Sequence, residues 1–210
     1  VVRTGNRIKL TQTKYIEQMA ERFGLTDSNY VATPMDANSH LTVDDQVATR
    51  PDPALYRSMV GSLMYAQCLT QPGLSFPVMQ LSRHLARPTH AHLQAAKRAI
   101  SWSYHHRHLG LTYGGDSDGV LRGYSDADYA GCPDTRRSTS GMVFFLGGSA
   151  ISWASKLQKT TATSSAESEY VAVSYAAHEC VHLRRLVSDL LGVPLKSMAP
   201  TKIWEDNTAA

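Results

Sequence analysis

Ser164-Ser165-Ala166-Glu167-Ser168-Glu169-Tyr170-Val171-Ala172-Val173 is the stretch on which the fold of the second half of the chain turns. It predicts a helix over about Ser165–Leu191, with Ser164 as N-cap and Glu167 three residues on as the partner of a capping box. At about 100° per residue, Val173, Ala176, Cys180, Leu183, Val187 and Leu191 fall within about 40° of Glu169. Glu169 therefore sits on the apolar, core-facing stripe, near its N-terminal end. Glu167 lies roughly 200° away, towards solvent, where capping alone accounts for it. A carboxylate aimed into a core is costly unless it is paired or binds a metal. An arginine partner, or a place just beyond the buried edge, is the plainer alternative for Glu169.

Around this helix the sequence reads as short strands at Val120–Asp128, Thr139–Leu146 and Ala150–Lys156, with a last strand at Thr201–Asp206. Three strands, a helix and a further strand imply an α/β or α+β layer fold. Two acidic residues end predicted strands: Asp126 in Gly123-Tyr124-Ser125-Asp126-Ala127-Asp128, and Asp206 in Ile203-Trp204-Glu205-Asp206-Asn207. Either alone reads as a solvated turn residue. Beside a core-facing Glu169 they become candidate ligands for two Mg²⁺ ions, which favour oxygen donors. Two such ions about 4 Å apart activate a water and stabilise the leaving oxygen in phosphodiester cleavage.

Upstream the texture differs. A short hairpin turns at Gly5-Asn6, and a helix runs from about Gln12 to Phe23 with Ile16, Met19, Ala20 and Phe23 on one face, stopped by Gly24. Residues 36–53 are polar and aperiodic and read as a long loop or linker. Three helices follow. The first is marked by Leu55, Met59, Leu63 and Ala66. The second carries Leu74, Val78, Leu81 and Leu85 and is closed by Pro88. The third is capped by Thr89, runs to about Arg107 and bears Lys97 and Arg98. The turn-rich run Gly114-Gly115-Asp116-Ser117-Asp118-Gly119 marks a boundary between residues 1–115 and 116–210.

Residues 1–115 carry 12 Lys and Arg against 7 Asp and Glu, a surplus of +5, and residues 116–210 carry 9 against 11, or −2. A basic half joined to an acidic half suits a polyanion clamp attached to a cation-binding site. The scattered Cys68, Cys132 and Cys180 read as buried reduced thiols of an intracellular protein. No apolar run approaches about 18 residues, and no charged-then-apolar leader is present, so neither a membrane nor secretion is expected.

The run Tyr124-Ser125-Asp126-Ala127-Asp128-Tyr129-Ala130-Gly131, then Asp134-Thr135-Arg136-Arg137-Ser138-Thr139-Ser140-Gly141, resembles the start of the ribonuclease H region of copia-type retrotransposon Pol polyproteins. The likeness continues through Val143-Phe144-Phe145-Leu146-Gly147-Gly148, Ile151-Ser152-Trp153 and Ser165-Ala166-Glu167-Ser168-Glu169-Tyr170 to Glu205-Asp206-Asn207. Upstream, Ile8-Lys9-Leu10-Thr11-Gln12-Thr13-Lys14-Tyr15-Ile16, Tyr56-Arg57-Ser58-Met59-Val60-Gly61-Ser62-Leu63 and Gln94-Ala95-Ala96-Lys97-Arg98 resemble the end of the palm, the thumb and the connection region of the reverse transcriptase. Thr70-Gln71-Pro72-Gly73 and Ser101-Trp102-Ser103-Tyr104-His105 depart from the family's pattern.

The resemblance implies a ribonuclease H-like mixed sheet with a helix, preceded by a mainly helical region. It also implies cleavage of the RNA strand of RNA–DNA hybrids with two Mg²⁺ (or Mn²⁺) ions. Its catalytic and metal-binding carboxylates fall on Asp126, Glu169 and Asp206. The expected partners are the hybrid and the remainder of the Pol polyprotein, and the expected setting is a retrotransposon particle in cytoplasm or nucleus. The family's polymerase carboxylates and its fourth nuclease carboxylate are expected outside these residues. The rival expectation is a non-catalytic nucleic-acid-binding remnant of the same element.

Arg136, Arg137 and Lys156 flank the proposed carboxylates, and with Lys97 and Arg98 they are the candidate phosphate contacts; plain solubility is their default role. His178-Glu179-Cys180-Val181-His182 matches the metalloprotease signature H-E-x-x-H. Its histidines lie about 180° and 140° from the Glu169 stripe, so a zinc site is not expected there. His105, His106 and His108 read as a solvated helix terminus.

Overall fold

The computed structural model describes residues 1–36, 39, 41–43 and 49–207. Residues 37, 38, 40 and 44–48, which belong to the predicted linker, lie outside the described residues. The chain divides into two compact units, Val1–Thr4 with Ile8–Leu111 and Gly5–Arg7 with Thr112–Ala210.

The chain begins with β1 (Val2–Thr4) and β2 (Arg7–Leu10), joined through Gly5, whose φ of +59° suits a residue without a side chain. It continues with α1 (Thr13–Arg22), α2 (Pro53–Leu69), α3 (Ser75–Ser82) and α4 (His90–His105). Asp52 caps α2 by accepting from the amides of Ala54 and Leu55, and Pro53 occupies the first turn, where no amide donor is missed. Thr89 caps α4 by accepting from the amide of His92. Ile16, Met59, Leu63, Leu81 and Ile100 are fully buried and make one apolar core.

One face of α2 differs from the sequence reading. Leu55 is exposed and Tyr56 is buried in its place, its hydroxyl donating to the carbonyl of Leu81 (2.8 Å). The aromatic ring supplies more apolar area than leucine, and the carbonyl satisfies its polar end.

The expected solvated histidine terminus holds for His108, which is exposed, and is corrected for the other two. His105 and His106 are half-buried, with ring nitrogens 2.9 Å from the Ser28 carbonyl and 2.8 Å from the Trp102 carbonyl. Ring contacts with Tyr30, and stacking of His106 on Trp102 (centroids 4.7 Å apart), hold them in as well. Of the cysteines, Cys132 and Cys180 are buried as expected, and Cys68 is exposed.

After β3 (Leu111–Gly114), which the sequence reading missed, the second unit contains β4 (Arg122–Asp128), β5 (Thr139–Leu146), β6 (Ser149–Leu157), α5 (Ser165–Leu191) and β7 (Lys202–Trp204). The sheet order is β6-β5-β4-β7. β4 is antiparallel to β5 and β5 to β6, whereas β7 runs parallel to β4, so the sheet is mixed, in line with the expected α/β class. Parallel neighbours need a crossover connection, and α5 supplies it between β6 and β7.

Alternation along β4 buries Gly123, Ser125 and Ala127 and exposes Tyr124, Asp126 and Asp128. Gly123 lets the fully buried Phe144 lie against the strand: a Cβ at this position would fall 2.4 Å from the ring's Cε1. Leu121, Phe144, Ala176, Cys180 and Leu183 pack α5 onto this face. The opposite face carries Tyr124, stacked on Trp204 with ring centroids 5.0 Å apart, and Phe145 edge-on to Tyr124. Among the described residues, no helix is long and apolar enough to cross a membrane.

Candidate metal centre

Each of the three carboxylates arrives by a different route. Asp126 stands on β4 opposite Gly141 of β5, on the exposed side of the strand. The parallel register pairs Tyr124 with Trp204, so the residue two further along each chain is Asp126 on one and Asp206 on the other. Asp206 lies just past the end of β7 rather than within it; the strand is shorter at both ends than the predicted Thr201–Asp206. The pairing still brings the two acids side by side, because neighbouring strands run about 4.8 Å apart.

Glu169 comes from α5. Ser164 caps the helix by accepting from the amide of Glu167 (3.1 Å), and Glu167 in turn accepts from the amide and hydroxyl of Thr163 (2.6 and 2.7 Å). Those two donors hold the Glu167 carboxyl below its ordinary range. The cap fixes where the helix starts, and hence which face each later residue takes. Glu169, Ala176, Cys180, Leu183 and Val187 are buried together, as the period requires, while Leu191 at the far end is 67% exposed. The carboxyl of Glu169 is 5% exposed as a residue, and its Oε2 has no hydrogen-bond partner among the described residues.

One carboxylate oxygen from each of Asp126, Glu169 and Asp206 lies within 4.8 Å of the others. Burial pushes the Glu169 carboxyl up to about 7, and the charges of Asp126, Glu205 and Asp206 add to the rise. A half-buried neighbour thus enters the picture: Glu205, which accepts from the amide of Asn207 (2.7 Å) and whose carboxylate helps to push the Glu169 carboxyl up. The sequence reading passed over Glu205, since its position at a strand end gave no sign that it would meet the helix.

The donor set fits a hard divalent cation. All three ligands are carboxylate oxygens, one of them buried with an oxygen left unsatisfied. Mg–O distances of about 2.1 Å place two oxygens on one ion no more than about 4.2 Å apart. A spread of 4.8 Å therefore needs a small contraction, or two ions sharing the three side chains. A metal is also the direct physical remedy for like charges facing one another around a buried acid.

The basic candidates are spread more widely. Arg136 and Arg137 stand in the loop after β4. Arg136 is exposed with φ of 56°, its amide bonded to the Cys132 carbonyl (2.8 Å), and Arg137 is half-buried. Lys156, on β6 opposite Ser140, is exposed and places its ammonium 5.2 Å from the ring centre of Tyr175 on α5. Lys97 and Arg98 belong to the other unit, and both are half-buried. The guanidinium of Arg98 donates to the carbonyl (3.1 Å) and hydroxyl (3.0 Å) of Thr33, so it ties α4 to the segment after α1. His178 and His182 are exposed, Glu179 between them accepts from Ser152 (2.7 Å), and no group of three candidate metal ligands among the described residues includes them.

Comparison with known proteins places this sequence in a family. Over 195 residues, 90% of the chain, it is 38% identical to the retrovirus-related Pol polyprotein from transposon TNT 1-94 of Nicotiana tabacum. Over 208 residues, 99% of the chain, it is 35% identical to the retrovirus-related Pol polyprotein from transposon RE2 of Arabidopsis thaliana. It spans 14% of the length of each of these two polyproteins. It is also 37% identical to an uncharacterised mitochondrial protein of Arabidopsis thaliana, covering 81% of the chain and 70% of that protein. No protein-family model matches the chain, and no solved structure does. The chain belongs to the copia-type retrotransposon Pol polyproteins.

Proposed function

We propose that residues 116–210 form a ribonuclease H-like domain that cuts the RNA strand of RNA–DNA hybrids, and that residues 1–115 are the end of the palm, the thumb and the connection region of a reverse transcriptase. The observation that carries the reading is the meeting of Asp126, Glu169 and Asp206 within 4.8 Å, with Glu169 buried and one of its oxygens unsatisfied.

In this reading Asp126, Glu169 and Asp206 hold two Mg²⁺ or Mn²⁺ ions. Bound there, the ions would supply an activated water and a stabilised leaving oxygen for phosphodiester hydrolysis. Glu169, fixed on the capped helix, anchors from the buried side. Asp126 and Asp206 close the site from the exposed side, where a substrate phosphate has access. Arg136, Arg137 and Lys156 would contact phosphates, which sets register on the duplex without reading its sequence. The +5 surplus of residues 1–115 supports polyanion binding, with Lys97 in that role. Arg98 contributes less, since Thr33 already takes two of its five donors.

The test uses the full chain with an end-labelled RNA–DNA hybrid, an RNA duplex and a DNA duplex, in Mg²⁺ and in a chelator. The expected result is cutting of the RNA strand of the hybrid alone, and only with metal. Retention of the hybrid without cutting would overturn the nuclease reading and favour a non-catalytic nucleic-acid-binding remnant.

A further inference from the structure

We infer that Gln158 is a positioning residue for the carboxylate centre, its buried side-chain amide setting the spacing between the strand that carries Asp126 and the helix turn that carries Glu169. The inference rests on the metal-binding reading of those acids. Gln158 follows β6 directly, is 5% exposed, and its backbone amide is pinned to the Ser138 carbonyl (2.8 Å). Its Nε2 donates twice, to the Ser140 hydroxyl (3.0 Å) and to the Ser168 carbonyl (2.9 Å).

The two acceptors sit on the elements that matter. Ser140 of β5 is the register partner of Ala127, the residue after Asp126, and Ser168 is the residue before Glu169. Ser168 is itself fully buried, and its hydroxyl donates to the Ser165 carbonyl in the first turn of α5 (2.6 Å). A primary amide has two N–H donors, and both are used here. The amide thus links the β4–β5 pair to the first turns of α5 at the level of the two acids. The Oε1 of Gln158 is buried and has no partner among the described residues. An apolar side chain of similar length would fill this space without burying an unsatisfied oxygen. A group held there for filling alone would not be an amide.

Groups behind metal ligands fix their placement, and removing one weakens metal affinity by about 10–100-fold. The experiment measures Mn²⁺ affinity of the full chain by electron paramagnetic resonance, at a temperature where circular dichroism shows each variant folded. Wild type, Gln158→Met, Ser140→Ala and Asp126→Asn are compared. Gln158→Met is expected to bind Mn²⁺ at least about tenfold more weakly than wild type. Ser140→Ala, which removes one of the two acceptors, is expected to fall between them. A filler or purely stabilising role would lower the melting temperature and leave the affinity of the folded protein unchanged, and that result would overturn the inference. Should Gln158→Met not fold, unchanged affinity in Ser140→Ala would overturn it instead. Equal binding by wild type and Asp126→Asn would overturn the metal reading and this inference with it. Binding lost in Asp126→Asn but kept in Gln158→Met would overturn this inference alone.

Discussion

Asp126→Asn is expected to reduce hybrid cleavage at least about a hundredfold while leaving the metal-free protein as stable as wild type or more so. The catalytic loss follows because asparagine keeps the shape of the ligand and removes its charge, so ions are held more weakly where the transition state gathers negative charge. The stability half follows from the surroundings. Asp126 is exposed on β4, so no core packing is lost. Its charge is also one of those that push the Glu169 carboxyl up, so its removal relieves repulsion. Cleavage rates and thermal melts in a chelator, measured on the same preparation, check both parts. A large drop in melting temperature would make Asp126 a structural residue and remove the basis for reading it as a ligand.

A comparably large effect is expected from pH. The Glu169 carboxyl is raised to about 7 in the folded chain against an ordinary value of 4.5. The folded state therefore binds this proton more tightly than the unfolded state does. The associated stability is fully present below about pH 4.5 and is lost as pH rises through about 7. A rise of that size corresponds to at most about 3 kcal/mol. Urea unfolding of the metal-free chain at pH 5 and pH 7.5 is expected to show the loss, and Glu169→Gln to remove most of it. Asp128, whose carboxyl is also pushed up, leaves a residual slope of the same sign in the variant. Millimolar Mg²⁺ at pH 7.5 should restore stability to wild type and not to Glu169→Gln, because binding to the folded state alone adds to its stability. A profile in which Glu169→Gln and wild type run parallel would mean that the buried acid carries no such strain.

Both effects trace back to how the sequence encodes its elements. The helix Ser165–Leu191 and the strand Thr139–Leu146 match their predicted limits because a long period and a strong cap bound the helix, and an apolar run closed by Gly147-Gly148 bounds the strand. The side on which Glu169 falls follows from the same period. The short elements were less legible. β3 spans Leu111–Gly114, too few residues for a pattern to declare itself, and β7 lost three residues of its predicted length at Thr201, Glu205 and Asp206.

Tertiary choices were not legible either. Leu55 and Tyr56 compete for the same side of α2, and the winner depends on whether a carbonyl such as that of Leu81 waits for the hydroxyl. The proximity of Glu205 to Glu169 and the double donation of Gln158 arise only when β6, α5 and β7 come together. In the sequence Gln158 was one polar residue after a strand, with nothing to separate it from a solvated turn.

The central claim is that Asp126, Glu169 and Asp206 together bind divalent metal. Anomalous diffraction from crystals soaked in Mn²⁺, a cation that prefers the same oxygen donors as Mg²⁺, tests it most directly. The account predicts anomalous peaks bonded to oxygens of all three carboxylates, and their loss in Asp126→Asn crystals. Mn²⁺ bound elsewhere on the chain at saturating concentration, with no peak among these three side chains, would contradict it.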